Sequence, residues 1–316
     1  MGDATLRRAI LERLGTFPER VPPDLEWGPQ EDRGDHVRVL VTYAVEPGER
    51  IPAWLLLPKG PIPDDGWPGI LAIHQHGGEF FVGKSQPAGL TRDPMFHYGL
   101  DLCRRGYVVL CPDLLCFEDR RPPEYVRREN PYLQDQNYER FEFTKHILMG
   151  SCLQTKYLHD LSCSLDVLAS LPQVDGERLG AIGHSLGGQE TLWLTWFDER
   201  IRAAVSSCGF SQIRAILRDG INHNYAMYVP GMLQICDIDA IVADIAPRPF
   251  MFTAGDQDTI FPVDGVREIA ERAQRAYDAA GASDRLRALI FSGGHSLPED
   301  VKSEAYGFLD RWLKGG

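Results

Sequence analysis

The segment Gly183-His184-Ser185-Leu186-Gly187-Gly188 sets a serine hydroxyl among small residues, directly after the apolar run Leu179-Gly180-Ala181-Ile182 and before a helical stretch. A G-x-S-x-G turn between a strand and a helix suits a serine nucleophile. Its glycines admit a cramped backbone, and the following helix N-terminus favours developing negative charge. A glycine-rich turn holding an incidental serine is the plainer reading, and the flanking strand and helix weigh against it. A hydroxyl also needs a base. If the chain order is serine, acid, histidine, the base comes from His223 or His295, and His295 follows the last strand-like run in Ser292-Gly293-Gly294-His295.

The acid that orients the imidazole should leave the turn after the penultimate strand, which reads Gly255-Asp256-Gln257-Asp258-Thr259-Ile260-Phe261-Pro262. Two aspartates compete there. A carboxylate held just beyond a strand end can accept the imidazole N–H and fix its tautomer, while the other would only cap the turn. Stabilising a tetrahedral oxyanion takes two backbone N–H groups: that of Leu186, next after the serine, and one from the loop His74-Gln75-His76-Gly77-Gly78. His76 is the first candidate in that loop and Gly77 the second. A metal bound by the His74-x-His76 pair would lack a third ligand, and packing explains both rings equally well.

These groups require a particular order of elements. His36–Val45 and Ile51–Leu57 read as a hairpin about Pro47-Gly48-Glu49-Arg50. Gly69–His74, Tyr107–Cys111, Leu179–Gly183, Ala203–Ser207, Pro249–Ala254 and Leu286–Phe291 are short apolar runs, most of them separated by helical periods. The helices are expected near Met95–Arg105, Leu148–Ser170, just after Ser185, Asp264–Ala280 and Glu299–Leu313. Such alternation predicts a parallel sheet with crossover helices. No repeat or low-complexity linker divides the chain, so a single domain over residues 1–316 is expected. Residues 114–145 and 210–246 exceed ordinary loops and leave the C-terminal side of the sheet, which predicts a partial cap. His223, Tyr225, Tyr228 and Met232 would line the site or pack the cap itself.

The bulk composition narrows the partners. A formal net charge of −12 and a pI near 5.2 argue against holding a phosphate backbone or an anionic membrane. No run reaches the roughly 18 apolar residues of a membrane span. Arg7-Arg8 imitates a twin-arginine signal, but Glu12, Arg13, Gly15 and Pro18 interrupt any apolar stretch after it. Residues 1–35 therefore read as a helical extension, with Asp3 at the N-cap and Leu6, Ile10, Leu11 and Leu14 on one face. Seven cysteines without a C-x-x-C pair suit free thiols in the cytoplasm.

His74-Gln75-His76-Gly77-Gly78, Arg105-Gly106-Tyr107-Val108-Val109, Gly183–Gly188, Ala246-Pro247-Arg248-Pro249, Gly255–Pro262 and Gly293-Gly294-His295 together carry a family resemblance. Over most of residues 35–315 the chain resembles the dienelactone hydrolase-like and acetyl xylan esterase-like branch of the α/β-hydrolase superfamily. The resemblance implies the α/β-hydrolase fold: a mostly parallel twisted sheet with an N-terminal antiparallel hairpin and helices on both faces. It selects Asp258, which stands three residues after the turn's glycine and four before its proline, as the acid. It also implies hydrolysis of small carboxylic esters through an acyl-enzyme, with Ser185, His295 and Asp258 as triad, Leu186 and His76 as oxyanion donors, and neither cofactor nor metal. Two departures matter. Gln75 stands where many relatives carry glycine, and position 185 is serine where true dienelactone hydrolases use cysteine, so dienelactone specificity is not carried across.

Gly78-Glu79-Phe80-Phe81-Val82-Gly83-Lys84-Ser85 matches G-x-x-x-x-G-K-[ST], but Pro87, Gly89 and Pro94 leave no room for the helix that a phosphate loop requires. A peptidase of the prolyl-oligopeptidase type and a noncatalytic binding protein are the remaining rivals. The expected partner is a small-molecule ester, not nucleic acid or membrane, and a homo-oligomer is left open.

Overall fold

A computed structural model describes residues 4–315. Nine strands, β1 (Glu26–Asp32), β2 (His36–Glu46), β3 (Glu49–Pro58), β4 (Trp67–Ile73), β5 (Val108–Pro112), β6 (Val174–His184), β7 (Ile201–Ser207), β8 (Phe250–Gly255) and β9 (Leu286–Phe291), form one sheet. Their order is β1-β2-β3-β5-β4-β6-β7-β8-β9. Pairs from β1 through the β3–β5 junction are antiparallel, and every pair from β5 to β9 is parallel.

Ten α-helices accompany the sheet: α1 (Ala4–Leu14), α2 (Tyr98–Arg104), α3 (Pro123–Val126), α4 (Gln136–Leu148), α5 (Leu153–Ser170), α6 (Leu186–Phe197), α7 (Ile213–Arg218), α8 (Ile238–Asp244), α9 (Val263–Ala279) and α10 (Glu299–Asp310). Side-chain alternation along a strand sends neighbours to opposite faces, and β4 shows the result. Leu71 and Ile73 join a core with residues of α1, α5, α6, α8 and α9, whereas Ile70 and Ala72 join a second core with α2 and α10. Helices therefore cover both faces, and the ends of β4, β6, β8 and β9 are left to present loops at one edge.

Several expectations change. Residues 1–35 hold more than a helix, because β1 pairs with β2 as the edge strand. Its sequence EWGPQED is mostly exposed and carries proline and three acids, so no alternating apolar pattern betrays it. Asp3 lies outside the described residues, while Ile10 and Leu14 of α1 are buried as expected. The helix expected over Leu148–Ser170 is α5, which starts later, at Leu153; Leu148 instead ends α4, and Gly150, at φ +74°, lies in the turn between the two. The cap-like segments fold as helical pieces. Residues 114–145 contain α3 and most of α4, and within 210–246 helix α8 packs into the main core, while residues 222–224 reach the site.

Residues 78–85 form turns without a helix. Lys84 is almost wholly buried, and its ammonium contacts Asp113 (2.8 Å), Glu118 (2.8 Å) and Asp119 (2.6 Å). Its charge is therefore consumed in tying this loop to the segment after β5, and is not offered to a phosphate. Removing one partner of a buried ion cluster leaves uncompensated charge, at a cost of about 3–5 kcal/mol. Lys84→Ala should accordingly lose stability of that order in urea unfolding, and a loss below about 1 kcal/mol would contradict the structural role.

Candidate active site

The turn from β6 into α6 is built from two close approaches. A Cβ on Gly183 would stand 2.3 Å from the carbonyl of Gly187, and one on Gly187 would stand 2.0 Å from the carbonyl oxygen of Ile73. Only glycine allows α6 to start this near β4. Between them Ser185 is held at φ 56°, ψ −121°, and its N–H donates to the carbonyl of Ser207 at 2.9 Å. Such a backbone costs on the order of 1–3 kcal/mol and persists where surrounding structure over-determines it.

Asp258 and His295 approach from the ends of β8 and β9. His295 Nδ1 hydrogen-bonds Asp258 Oδ2 at 2.7 Å. The other oxygen, Oδ1, accepts from the N–H groups of Ile260 (2.9 Å) and Phe261 (3.2 Å). Burial pushes the Asp258 carboxyl up, but the His295 hydrogen bond and charge, with those two amides, outweigh it and hold the carboxyl below its ordinary value. With Nδ1 committed, His295 Nε2 is buried and has no hydrogen-bond partner among the described residues. Asp256 plays a different part, since its Oδ1 accepts from Gly293 N–H at 3.0 Å and so fastens the loop carrying His295. The structure thus brings Asp258, and not Asp256, to the imidazole.

Ser185 and His295 open onto one cavity of about 360 Å³, lined also by Gln75, His76, Gly77, Gly78, Gln136, Asn222, His223, Asn224 and Ile260. Leu186 opens α6, where an α-helix leaves its amides without intrahelical partners. His76 and Gly77 share the cavity wall, and Gly77 and Gly78 adopt φ +56° and +72°. Both nitrogens of each histidine in the H-x-H pair are engaged. His74 bonds the carbonyl of Gln75 and the N–H of Leu114, and His76 bonds Glu139 and the N–H of Gly78. Of the cap residues read from sequence, His223 lines the cavity, Tyr225 and Tyr228 pack on Phe143, and Met232 lies in the core.

Three groups went unread in the sequence. His184, inside the motif, lies under His295 with ring centroids 4.8 Å apart and bonds Ser207 Oγ at 3.0 Å. Burial, and then the charge of His295, hold its pKa well below the ordinary value, so the neighbour of the reacting imidazole is neutral. Cys208 follows β7 close to Asp258 and His295. Burial first, then the Asp258 charge, push its thiol up to about 11, so it is no competing thiolate. Glu190 belongs to a chain of hydrogen bonds from Gln154 and Gln189 that reaches Asn224 on the cavity wall.

The sheet order and the turn at Ser185 are those of the α/β-hydrolase fold. The model of the dienelactone hydrolase family matches residues 53–282, and the chain belongs to that family, which makes it a hydrolase of carboxylic esters. A Bacillus subtilis protein named as a hydrolase, YtaP, is 28% identical over 98% of this chain and 99% of its own. Dipeptidyl-peptidase 5 of Porphyromonas gingivalis is 27% identical over half of this chain, which is a quarter of its own length. Among solved structures, a Bacteroides fragilis protein named as an acetyl xylan esterase superposes with TM-score 0.74 at 20% identity, covering 96% of this chain and 80% of that one. A glucuronoyl esterase from Solibacter usitatus reaches 0.70 at 18% identity, covering 98% and 91%.

Burial, the largest influence, pushes the Glu190 carboxyl up to about 8, against the amide hydrogen bonds of Gln154 and Gln189. An unfolded glutamate titrates near about 4.3. Between those values the folded chain holds a proton that the unfolded chain has lost, so stability falls as pH rises. Glu190→Gln cannot titrate. Its stability relative to the parent should climb steadily from about pH 5 to about pH 8 in urea unfolding, and a flat difference would contradict the buried neutral acid.

Proposed function

We propose that the chain hydrolyses small, polar carboxylic esters through an acyl-enzyme on Ser185, with His295 as general base and Asp258 as the acid that holds its tautomer. The observation that carries this reading is the 2.7 Å bond from His295 Nδ1 to Asp258, with the other ring nitrogen unpartnered on the cavity that Ser185 faces. Ser185 Oγ attacks the ester carbonyl as His295 Nε2 takes its proton. The Leu186 and His76 amides receive the oxyanion, and the imidazolium then protonates the departing alcohol. Water repeats the attack on the acyl-enzyme and frees the acid. Burial of Asp258 beside the imidazole serves this cycle, because the imidazolium formed midway finds a fixed negative partner.

The cavity wall supports a choice of ester. Its carboxamides Gln75, Gln136 and Asn222 each offer a donor and an acceptor, Asn224 being held by Gln189 and Met227, and Ile260 is its one aliphatic side chain among the described residues. Such a wall suits a hydroxylated alcohol, not a long acyl chain. None of the described lining residues is arginine or lysine, so an ester bearing a free carboxylate would lack a cationic partner, which favours an uncharged ester. The partial match to Dipeptidyl-peptidase 5 favours a second reading as a peptidase. Against it, none of the described lining residues is acidic, so a peptide's terminal ammonium would lack a charged partner.

A fluorophosphonate probe should label Ser185 alone, and Ser185→Ala should abolish hydrolysis of p-nitrophenyl acetate with the circular dichroism unchanged. Labelling elsewhere, or turnover surviving in the variant, would sink the assignment. Among acyl chains, acetate should be cleaved far faster than octanoate, and a dipeptidyl p-nitroanilide should not be cleaved.

The two aspartates should separate in kinetics. Asp258→Asn is expected to cut kcat by roughly three to four orders of magnitude with KM little changed, as loss of a triad acid does. Asp256→Asn should cost about tenfold or less, since an asparagine Oδ1 can still accept from Gly293 N–H. The reverse ranking would move the acid to position 256.

A further inference from the structure

Behind the cavity wall lies a second histidine–carboxylate pair besides His295 and Asp258. Glu139 projects from α4, its side chain has no exposed surface, and its Oε2 meets His76 Nε2 at 3.1 Å. Its Oε1 accepts from the N–H of Tyr225 at 3.1 Å, in the other cap segment. His76 Nδ1 accepts from Gly78 N–H at 3.1 Å, so Nε2 carries the ring proton and donates to Glu139. With both nitrogens bound, His76 is not a second base. Its imidazole is a strut between the backbone of the loop after β4 and a buried carboxylate on the cap. Phe80 and Phe117 brace it edge-on, with centroids 4.9 Å and 5.2 Å away.

We propose that Glu139 is a positioning residue, which acts through the His76 imidazole to hold the His76 and Gly77 amides aimed at the developing oxyanion and makes that aim depend on the docking of both cap segments. The inference rests on the catalytic reading above. The carboxylate is needed because it accepts twice, once from His76 and once from Tyr225. Glutamine would offer one acceptor and turn an N–H against the other donor. A displaced oxyanion donor weakens the transition state more than bound substrate, so the effect belongs in kcat.

The test is p-nitrophenyl acetate kinetics on Glu139→Gln, His76→Asn and the double variant, beside inhibition by phenylboronic acid, whose serine adduct places a charged oxygen where the oxyanion forms. The asparagine of His76→Asn could still accept from Gly78 N–H, as asparagine does in turns, while losing the reach to Glu139. Each single variant should lose roughly tenfold to a hundredfold in kcat and a similar factor in boronate affinity, with KM within about threefold. The double variant should be within about twofold of the worse single one, because both break one link. Unchanged kcat in Glu139→Gln, additive losses in the double variant, or a KM effect with boronate affinity intact would each overturn the proposal. If Glu139→Gln fails to fold by circular dichroism, His76→Asn carries the test, and unchanged kcat and boronate affinity there overturn it equally. Fluorophosphonate labelling away from Ser185 in the unmodified protein would overturn the catalytic reading and this inference together, whereas correct labelling with the outcomes above removes only the role of Glu139.

Discussion

The site depends on how closely the start of α6 can approach the end of β4. The Gly187 Cα lies so near the Ile73 carbonyl that no side chain fits between them. That contact sets the angle at which the helix leaves the sheet, and with it the strained dihedrals of Ser185 at the cavity. It also brings the first amide of α6 beside the loop that follows β4. Ser185 and the loop after β4 that would give the second oxyanion donor come from segments more than a hundred residues apart, and the absence of one methyl group lets them meet.

Around this contact the polar groups are arranged in neutral layers with charge confined to chosen points. Beneath the cavity the buried Glu190, Gln154 and Gln189 share hydrogen bonds, with the acid holding its proton well beyond the usual carboxylate range. Under His295 lies the unprotonated His184. Asp258, held below its ordinary value, is the anion that faces the imidazole. In a low-dielectric interior an unplanned charge here would act strongly on any forming oxyanion or imidazolium. The heavily charged cluster of Lys84, Asp113, Glu118 and Asp119 is kept one loop away, where it fastens backbone instead.

What the sequence made legible follows a physical division. Ser185, Asp258 and His295 stand at strand ends, where local grammar of apolar run, glycine and turn is written in contiguous residues, and their three loops do converge. The parallel core was readable for the same reason: β5 and β8, for instance, are short apolar runs buried along their whole length. Contacts between distant segments leave no such mark. Glu139 looks like any acid on a helix, and nothing near it in the chain announces His76, 63 positions away. Helix α4 was hidden inside the segment read as a cap loop, because its sequence QNYERFEFTKHIL carries no continuous apolar stripe. Part of the expected cap proved to be an ordinary sheet-covering helix, α8, since amphipathic period does not say which surface a helix covers.

The features that hid β1 from the sequence also determine how copies of this protein treat one another. A sheet's outermost strand offers an open row of amide and carbonyl groups on which another chain can lay its own strand. Here that border carries Glu26, Glu31 and Asp32, a proline at position 29, and a register shift between Trp27 and Gln30. Proline removes one donor from the row, the shift bends the ribbon away from a flat template, and the acids, paired with Arg50, Arg38 and Lys59, keep charged side chains along the border. In a chain of net charge −12, the strand least recognisable as a strand is thus the one best fitted to stand at the margin without recruiting a neighbour into a fibre.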